Sequence, residues 1–329
     1  MRKYSYIILL ILIHQVIHAQ LLPNLGGQRV GTSAAQFLKI GVGPRAEALG
    51  QAYVAIANDA EALFYNPAGI SQFENNQVFF ANTQWVVDIQ LEYLGVVYQL
   101  DKVNTLGLAV TYLHTEEMEE TTELFPYGTG NYFRYADALL GLTYSRKMTN
   151  KFSFGISVKY MHETLAELTM SSFLFDLGTY YRTGWKSVRF AVAVTNFGRD
   201  MAPDGSVTYK NLDNELITQS SFQKFPPPIL FRIGIASELY QSEDNMLTGS
   251  IQLNHPNDNV ENINFGLEYW WRKLFALRGG FISSRTDQNF STGFGLLVPL
   301  KEINIGVDYS FTNFGRLGYV NRFALNFRF

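Results

Sequence analysis

Five carboxylates crowd one eight-residue stretch of this 329-residue chain: Glu116, Glu117, Glu119, Glu120 and Glu123. Carboxylate oxygens suit hard divalent cations, so such a run could hold one. The spacing, however, lacks the alternating Asp/Asn ligands and turn glycine of a calcium loop, and a solvated, self-repelling segment accounts for it better. His114, His162 and His255 are dispersed, with no pair at metal-ligand spacing. No nucleophile elbow, phosphate-binding loop or zincin helix is present. We therefore expect no enzymatic activity, no metal and no cofactor, while a Ser–His pair assembled by the fold alone stays open.

Three further groups carry distinctive local chemistry. Arg45 and Asp59 are the charged residues of interest in an alanine-dense stretch, FLKIGVGPRAEALGQAYVAIANDAEALFYNPAGIS. The same stretch holds Asn66-Pro67-Ala68-Gly69, where Pro67 fixes its own φ and Gly69 tolerates a positive one, favouring a tight turn. Further on, Phe225-Pro226-Pro227-Pro228 stiffens its backbone toward an extended polyproline conformation.

The elements that must position these groups are strands. In GYVNRFALNFRF, Tyr319, Phe323, Leu325, Phe327 and Phe329 alternate with Arg322, Asn326 and Arg328, a period of two rather than of three or four. In EINIGVDYSF, Ile303, Ile305, Val307, Tyr309 and Phe311 share one face and Glu302, Asn304, Asp308 and Ser310 the other. KFSFGISVKY, NINFGLEYW, ADALLGLTY and SVRFAVAVTN behave alike. Such segments number about fourteen, each on the order of ten residues. They start near Gln77, Ile89, Asn104, Phe133, Lys151, Thr169, Ser187, Ile229, Met246, Val260, Leu274, Asn289, Glu302 and Gly318.

Every second connection is tight, whereas the others include two long ones, HTEEMEETTELFPYGTGNY and FGRDMAPDGSVTYKNLDNELITQSSFQKFPP. Short turns on one rim and long loops on the other mark a bacterial outer-membrane barrel, with both termini on the short-turn side. The chain is 47% hydrophobic and 15% aromatic but only 17% charged, against roughly 25% charged in average soluble proteins. Alternation places the apolar face against lipid and the polar face in an enclosed lumen, and closure removes strand edges that hydrocarbon cannot solvate. The net charge of −3 and the absence of a basic stripe argue against nucleic-acid partners.

The N-terminus reads as an export signal over residues 1–19, with Arg2 and Lys3, an apolar run from Ile7 to Ile13, and Ala19 before the cut. The run is too short for a membrane helix. With no cysteine, an exported chain has neither disulfides nor a lipid-attachment thiol. Residues 20–75 form a plug segment, in which Ala46, Leu49 and Tyr53 share a helical face after Pro44. We expect it at the periplasmic mouth of a barrel formed by residues 76–329.

The plug stretch resembles the N-terminal signature of the PorV/PorQ family, within the wider FadL-like group of outer-membrane barrels. The resemblance rests on Phe37, Leu38, Gly41, Gly43, Arg45, Ala46, Gly50, Ala52, Asp59, Ala60 and Tyr65-Asn66-Pro67-Ala68-Gly69. It departs at Glu47-Ala48-Leu49-Gly50-Gln51. The resemblance implies an all-β transmembrane protein of the bacterial outer membrane that serves type IX secretion, docking or shuttling exported cargo among other secretion-system proteins. The FadL-like alternative is a channel for hydrophobic small molecules, needing an apolar pocket in the lumen and a kinked strand. Polar inward positions after Gly249 speak against a greasy lumen, while Leu139, Leu174 and Trp270 speak for it.

The candidate residues take roles within that frame. Arg45 and Asp59 pair with lumen charges. Asn66, Pro67, Ala68 and Gly69 form a hatch, or more plainly a link between plug and first strand. Phe327 and Phe329 resemble the C-terminal aromatic signal that outer-membrane assembly machinery reads, and Phe225 to Pro228 end a long loop suited to touching a partner. The other expected partner is outer-membrane lipid.

Overall fold

The computed structural model describes residues 29–123, 125–210, 215–283 and 288–329; the export signal and its cut after Ala19 lie outside the described residues. Fourteen strands form the wall. They are β1 (Gln77–Gln84), β2 (Gln90–Gln99), β3 (Asn104–His114), β4 (Tyr135–Lys147) and β5 (Phe152–Leu165). β6 (Leu168–Arg182), β7 (Arg189–Gly198), β8 (Leu230–Gln241), β9 (Asn245–Pro256) and β10 (Asn262–Trp271) follow. β11 (Phe275–Ile282), β12 (Phe290–Pro299), β13 (Asn304–Asn313) and β14 (Tyr319–Arg328) complete it.

Each strand pairs antiparallel with its successor, and β14 returns to β1 to close the barrel. The closing register runs from Gln77 opposite Arg328 to Gln84 opposite Asn321. Asn76 and Phe329 extend it by exchanging backbone hydrogen bonds of 3.0 and 3.1 Å. Every strand begins within two residues of its sequence-derived start, because period-two alternation is strong wherever one face meets hydrocarbon.

The alternation sorts as expected. Phe152, Phe154, Ile156, Val158 and Tyr160 on β5 are exposed, while Ser153, Ser157 and Lys159 between them are buried. On β14, Phe323 and Leu325 point outward, and Arg322 and Asn326 inward. Exposed Phe, Leu, Ile and Tyr thus ring the outer wall, a surface suited to lipid rather than to water. Among the described residues no helix is long and apolar enough to cross a membrane; strands are what cross it.

Connections 100–103, 148–151, 183–188, 242–244, 272–274 and 300–303 make one rim, here the turn rim. The opposite loop rim carries 115–134 and 199–229, each holding a small hairpin: Met118–Glu119 with Tyr132–Phe133, and Val207–Lys210 with Leu216–Gln219. One loop-rim connection is short, the two residues between β5 and β6. Those strands are the longest, at 14 and 15 residues, so there the projection is built of strand instead of loop.

Residues 29–76 run inside this wall. A 3-10 turn (Gln36–Lys39) precedes α1 (Pro44–Ala48), α2 (Ala62–Tyr65) and a second 3-10 turn (Pro67–Ser71), which leads to β1. The segment is not confined to the turn-rim end. Ala34 N–H donates to the Pro226 carbonyl (3.0 Å) and Lys39 pairs with Asp258 (2.8 Å), both on the loop rim. At the other end Gln72 donates to Ser153 (2.9 Å) near the start of β5. The plug therefore threads the whole height of the barrel. Its helices are single turns too short to stand alone, so only partners on both rims hold it extended.

Candidate functional site

A short-helix plug leaves many backbone groups without intrahelical partners, and those packed against the wall need other ones. The inward strand positions supply what is missing. Gln252 Oε1 accepts from Tyr53 N and Val54 N at 3.0 and 2.8 Å. Gln77 Oε1 accepts from Ala60 N at 2.9 Å, and Ser291 Oγ accepts from Gly50 N at 3.1 Å. Ser250 Oγ donates to the Ala52 carbonyl at 2.6 Å. At these positions the polar inner face solvates a chain.

Charge fixes the plug more firmly. Arg45 Nη1 meets Asp59 at 2.6 Å, and its Nε and Nη2 grip Glu268 on β10 in a two-point contact of 2.8 and 2.7 Å. Arg278 on β11 bonds the same Glu268 at 2.8 Å and Asp308 on β13 at 2.5 Å. Tyr53 Oη donates to Asp59 at 2.5 Å, and Glu61 accepts from Arg45 N and Ala46 N at 3.1 and 2.9 Å. All of these side chains are buried. Two of the sequence candidates, Arg45 and Asp59, are brought together. Their wall partners Glu268, Arg278 and Asp308 were not singled out, although each occupies a polar position on an alternating strand.

The Asn66–Gly69 segment lies toward the turn rim. Asn66 Oδ1 caps the second 3-10 turn by accepting from Ala68 N at 3.1 Å, while Nδ2 donates to the carbonyls of Val54 (3.1 Å) and Thr179 (3.2 Å). The tight turn inferred from sequence is present as this 3-10 turn, but Gly69 does not use a positive φ in it. It is small because a Cβ there would sit 2.8 Å from the Cβ atoms of Ala57 and Ala62. The wall makes matching room: a Cβ on Gly155 would lie 2.4 Å from the Pro67 carbonyl carbon.

Toward the loop rim the plug stops filling the lumen and leaves a cavity of about 710 Å³. Phe37, Phe64, Tyr65, Trp85, Leu113 and Phe314 give it apolar and aromatic walls. Its cations are engaged. Arg322 pairs with Glu47 at 3.1 Å and lies 5.6 Å from the Trp85 ring centre. Arg232 donates to Thr195 at 2.9 Å and stacks 5.5 Å from the Tyr65 ring centre. Leu139, Leu174 and Trp270 do face inward. β6 and β7 break register between Phe175 and Leu177, where Asn196 N–H donates to the Asp176 carboxylate at 2.7 Å.

The mouth of the cavity is crossed by residues 29–40, clasped by one carboxylate. Asp258 accepts from Ser33 Oγ, from Gln36 Nε2 (3.3 Å) and from Lys39 Nζ (2.8 Å). Burial alone would raise the Asp258 carboxyl, but the contacts of Lys39 and Ser33 outweigh it and hold its pKa below the ordinary value of 3.8.

The remaining candidates stand apart from this site. Pro227 and Pro228 are buried at the mouth, with the Pro227 carbonyl accepting from Asn257 Nδ2 (2.9 Å), and Phe225 pairs through its backbone with Met201. The Phe225–Pro228 segment is folded onto the rim and does not project from it. Phe327 opposes Val78 in the closing seam, and Phe329 is exposed just beyond it. In the acidic loop, Glu117 pairs with Arg134 (2.7 Å) and Glu120 bonds Thr129 and Asn131 (2.9 and 3.0 Å). Among the described residues no three acidic, His or Cys side chains converge on a metal position. His162 Nδ1 lies 2.8 Å from Ser171 Oγ, but its other nitrogen faces Thr164 at 3.3 Å instead of a carboxylate.

The closed fourteen-strand barrel has counterparts of the same fold among solved structures. Residues 24–131, spanning plug and first three strands, match the model of an uncharacterised protein family (UPF0164). Among solved structures the chain is similar to a Pseudomonas aeruginosa FadL homologue (12% identity, TM-score 0.58, covering 88% of this chain and 98% of that one). It is similar to the CymD monoaromatic hydrocarbon channel (13%, TM-score 0.58, 88% and 96%). The Ralstonia pickettii toluene transporter TbuX gives 13%, TM-score 0.57, 88% and 97%. No curated protein matches the chain. At these identities the likeness establishes the fold, and it does not distinguish the PorV/PorQ subgroup.

Proposed function

We propose that the protein is a non-enzymatic outer-membrane channel that admits hydrophobic small molecules into the loop-rim cavity. The observation that carries this reading is the 710 Å³ cavity inside the barrel mouth, where aromatic side chains stand beside polar ones above the plug. Its size and lining suit a small-molecule site. The fold likeness supports it, since the similar structures include proteins described as hydrocarbon channels and toluene transporters. In this orientation the loop rim faces the exterior and the turn rim the periplasm. A molecule enters between the mouth segment and the loops, and leaves only when plug or wall yields.

The docking or shuttle role in type IX secretion is the weaker reading, because the proline-rich loop end packs down on the mouth rather than presenting itself. Uptake of radiolabelled toluene by cells or by proteoliposomes tests the channel. Deletion should abolish it, and Leu113→Glu, which charges the cavity wall, should cut it at least roughly tenfold while the barrel still folds. Uptake unchanged by either would overturn the reading, and secreted cargo stranded in the periplasm on deletion would favour docking.

A further inference from the structure

The turn rim carries its densest positive charge in one sector. Across turns 100–103, 148–151 and 183–188 and their strand ends stand seven cations: Lys102, Arg146, Lys147, Lys151, Arg182, Lys186 and Arg189. The same stretch holds a single carboxylate, Asp101. That group is occupied by its own turn, accepting from Val103 N, Asn104 N and Asn104 Nδ2 at 2.8, 2.8 and 2.7 Å. Among the described residues Arg189 pairs with Glu238 at 2.7 Å and Arg182 donates to Gln72 at 3.3 Å, while Lys102, Arg146, Lys147, Lys151 and Lys186 lie in no ion pair. The next turn round the rim, 242–244, is acidic, with Glu243 and Asp244.

The same three turns expose large apolar side chains at their tips: Leu100 (52%), Met148 (58%) and Trp185 (69%). Lys186 Nζ sits 5.5 Å from the Trp185 ring centre, and Lys151 Nζ leans onto the next turn, 2.8 Å from where a Cβ of Gly184 would stand. Directly along the strands from these tips, Tyr98, Tyr144, Phe152 and Tyr181 are exposed on the lipid-facing wall. Leu, Met and Trp at the tip of a turn bathed in water gain nothing, whereas at a headgroup layer the apolar body and cationic end of such a surface both find partners.

We propose that this sector is a binding surface for anionic phospholipid headgroups of the leaflet that meets the turn rim. Charge complementarity selects the phosphate and its net negative headgroup, and continuity with the apolar wall selects a lipid over a soluble partner. The proposal rests on the barrel being embedded in a membrane and is independent of what the lumen carries.

The test uses the purified full chain in non-ionic detergent, with retention of phosphatidylglycerol and of phosphatidylcholine measured by native mass spectrometry. The parent should retain phosphatidylglycerol at least roughly tenfold more tightly. The triple variant Lys102→Gln, Lys147→Gln, Lys151→Gln should lose that preference, while the control Arg272→Gln, Lys273→Gln on another turn keeps it. Equal retention of the two lipids by the parent overturns the proposal. So does a control that loses as much as the triple variant. Displacement of the lipid by a stoichiometric polyglutamate peptide would mark the sector as a protein site instead.

Discussion

Replacing Arg45 with Met should unseat the plug while leaving the wall intact. Among the described residues Arg45 is the only side chain bridging the plug carboxylate Asp59 to the wall carboxylate Glu268, and all three are buried. Removing one partner from a buried ionic network costs about 3–5 kcal/mol. The lower end applies, because Glu268 keeps Arg278 and Asp59 keeps the Tyr53 hydroxyl. About 3 kcal/mol corresponds to roughly a hundredfold more frequent opening. The chain has no native cysteine, so a single reporter, Ala52→Cys, reads this directly: Ala52 is buried in the plug. Maleimide labelling in detergent should accelerate about a hundredfold in the Arg45→Met background when opening is fast relative to labelling. The strand ladder should stay closed, as judged by heat-modifiable mobility on gels. An acceleration below about threefold would mean that the network contributes little to plug seating, and the reasoning would be refuted.

Three further outcomes follow from particular contacts. Gly155→Ala forces a Cβ to 2.4 Å from the Pro67 carbonyl carbon, so thermal unfolding in detergent should show about 1–3 kcal/mol of destabilisation; Gly279→Ala, with nothing within 4 Å of its Cβ, should be tolerated. Asn66→Ala strands the carbonyls of Val54 and Thr179 and removes the cap at Ala68, costing about 1–3 kcal/mol, readable by the same melt. The Asp258 carboxyl is held below its ordinary 3.8, so its clasp is fully present above that value and lost as pH falls through the depressed one. Labelling of a Val30→Cys or Gln36→Cys variant should therefore be flat from pH 8 to about 5, measured with a reagent whose reactivity does not depend on pH, and rise only in stronger acid.

The wall was legible because its code is local. A residue facing lipid must be apolar and its neighbour need not be, so strand starts could be read to within two residues. The plug's path was not, because its contacts are remote: Arg45 answers to Glu268, and Lys39 to Asp258, more than two hundred positions away. Nothing near Lys39 signals that it sits at the loop rim. Glu268 is one polar residue among several on its strand, and only the folded register aims it at a guanidinium. Gly69 shows a different limit. A glycine that permits a turn and a glycine that permits close packing are identical in sequence, and only the neighbouring methyl groups of Ala57 and Ala62 tell them apart.

The seam between β1 and β14 joins the two strands of the wall that lie furthest apart along the chain. A cylinder built so cannot be rolled up progressively as it emerges; it stays an open sheet until its far ends meet. The segment upstream of β1 already exists at that moment, and bulky groups such as Tyr53 and Tyr65 cannot slip between bonded strands afterwards. The stopper must therefore be enclosed as the seam closes, or else enter through an open rim.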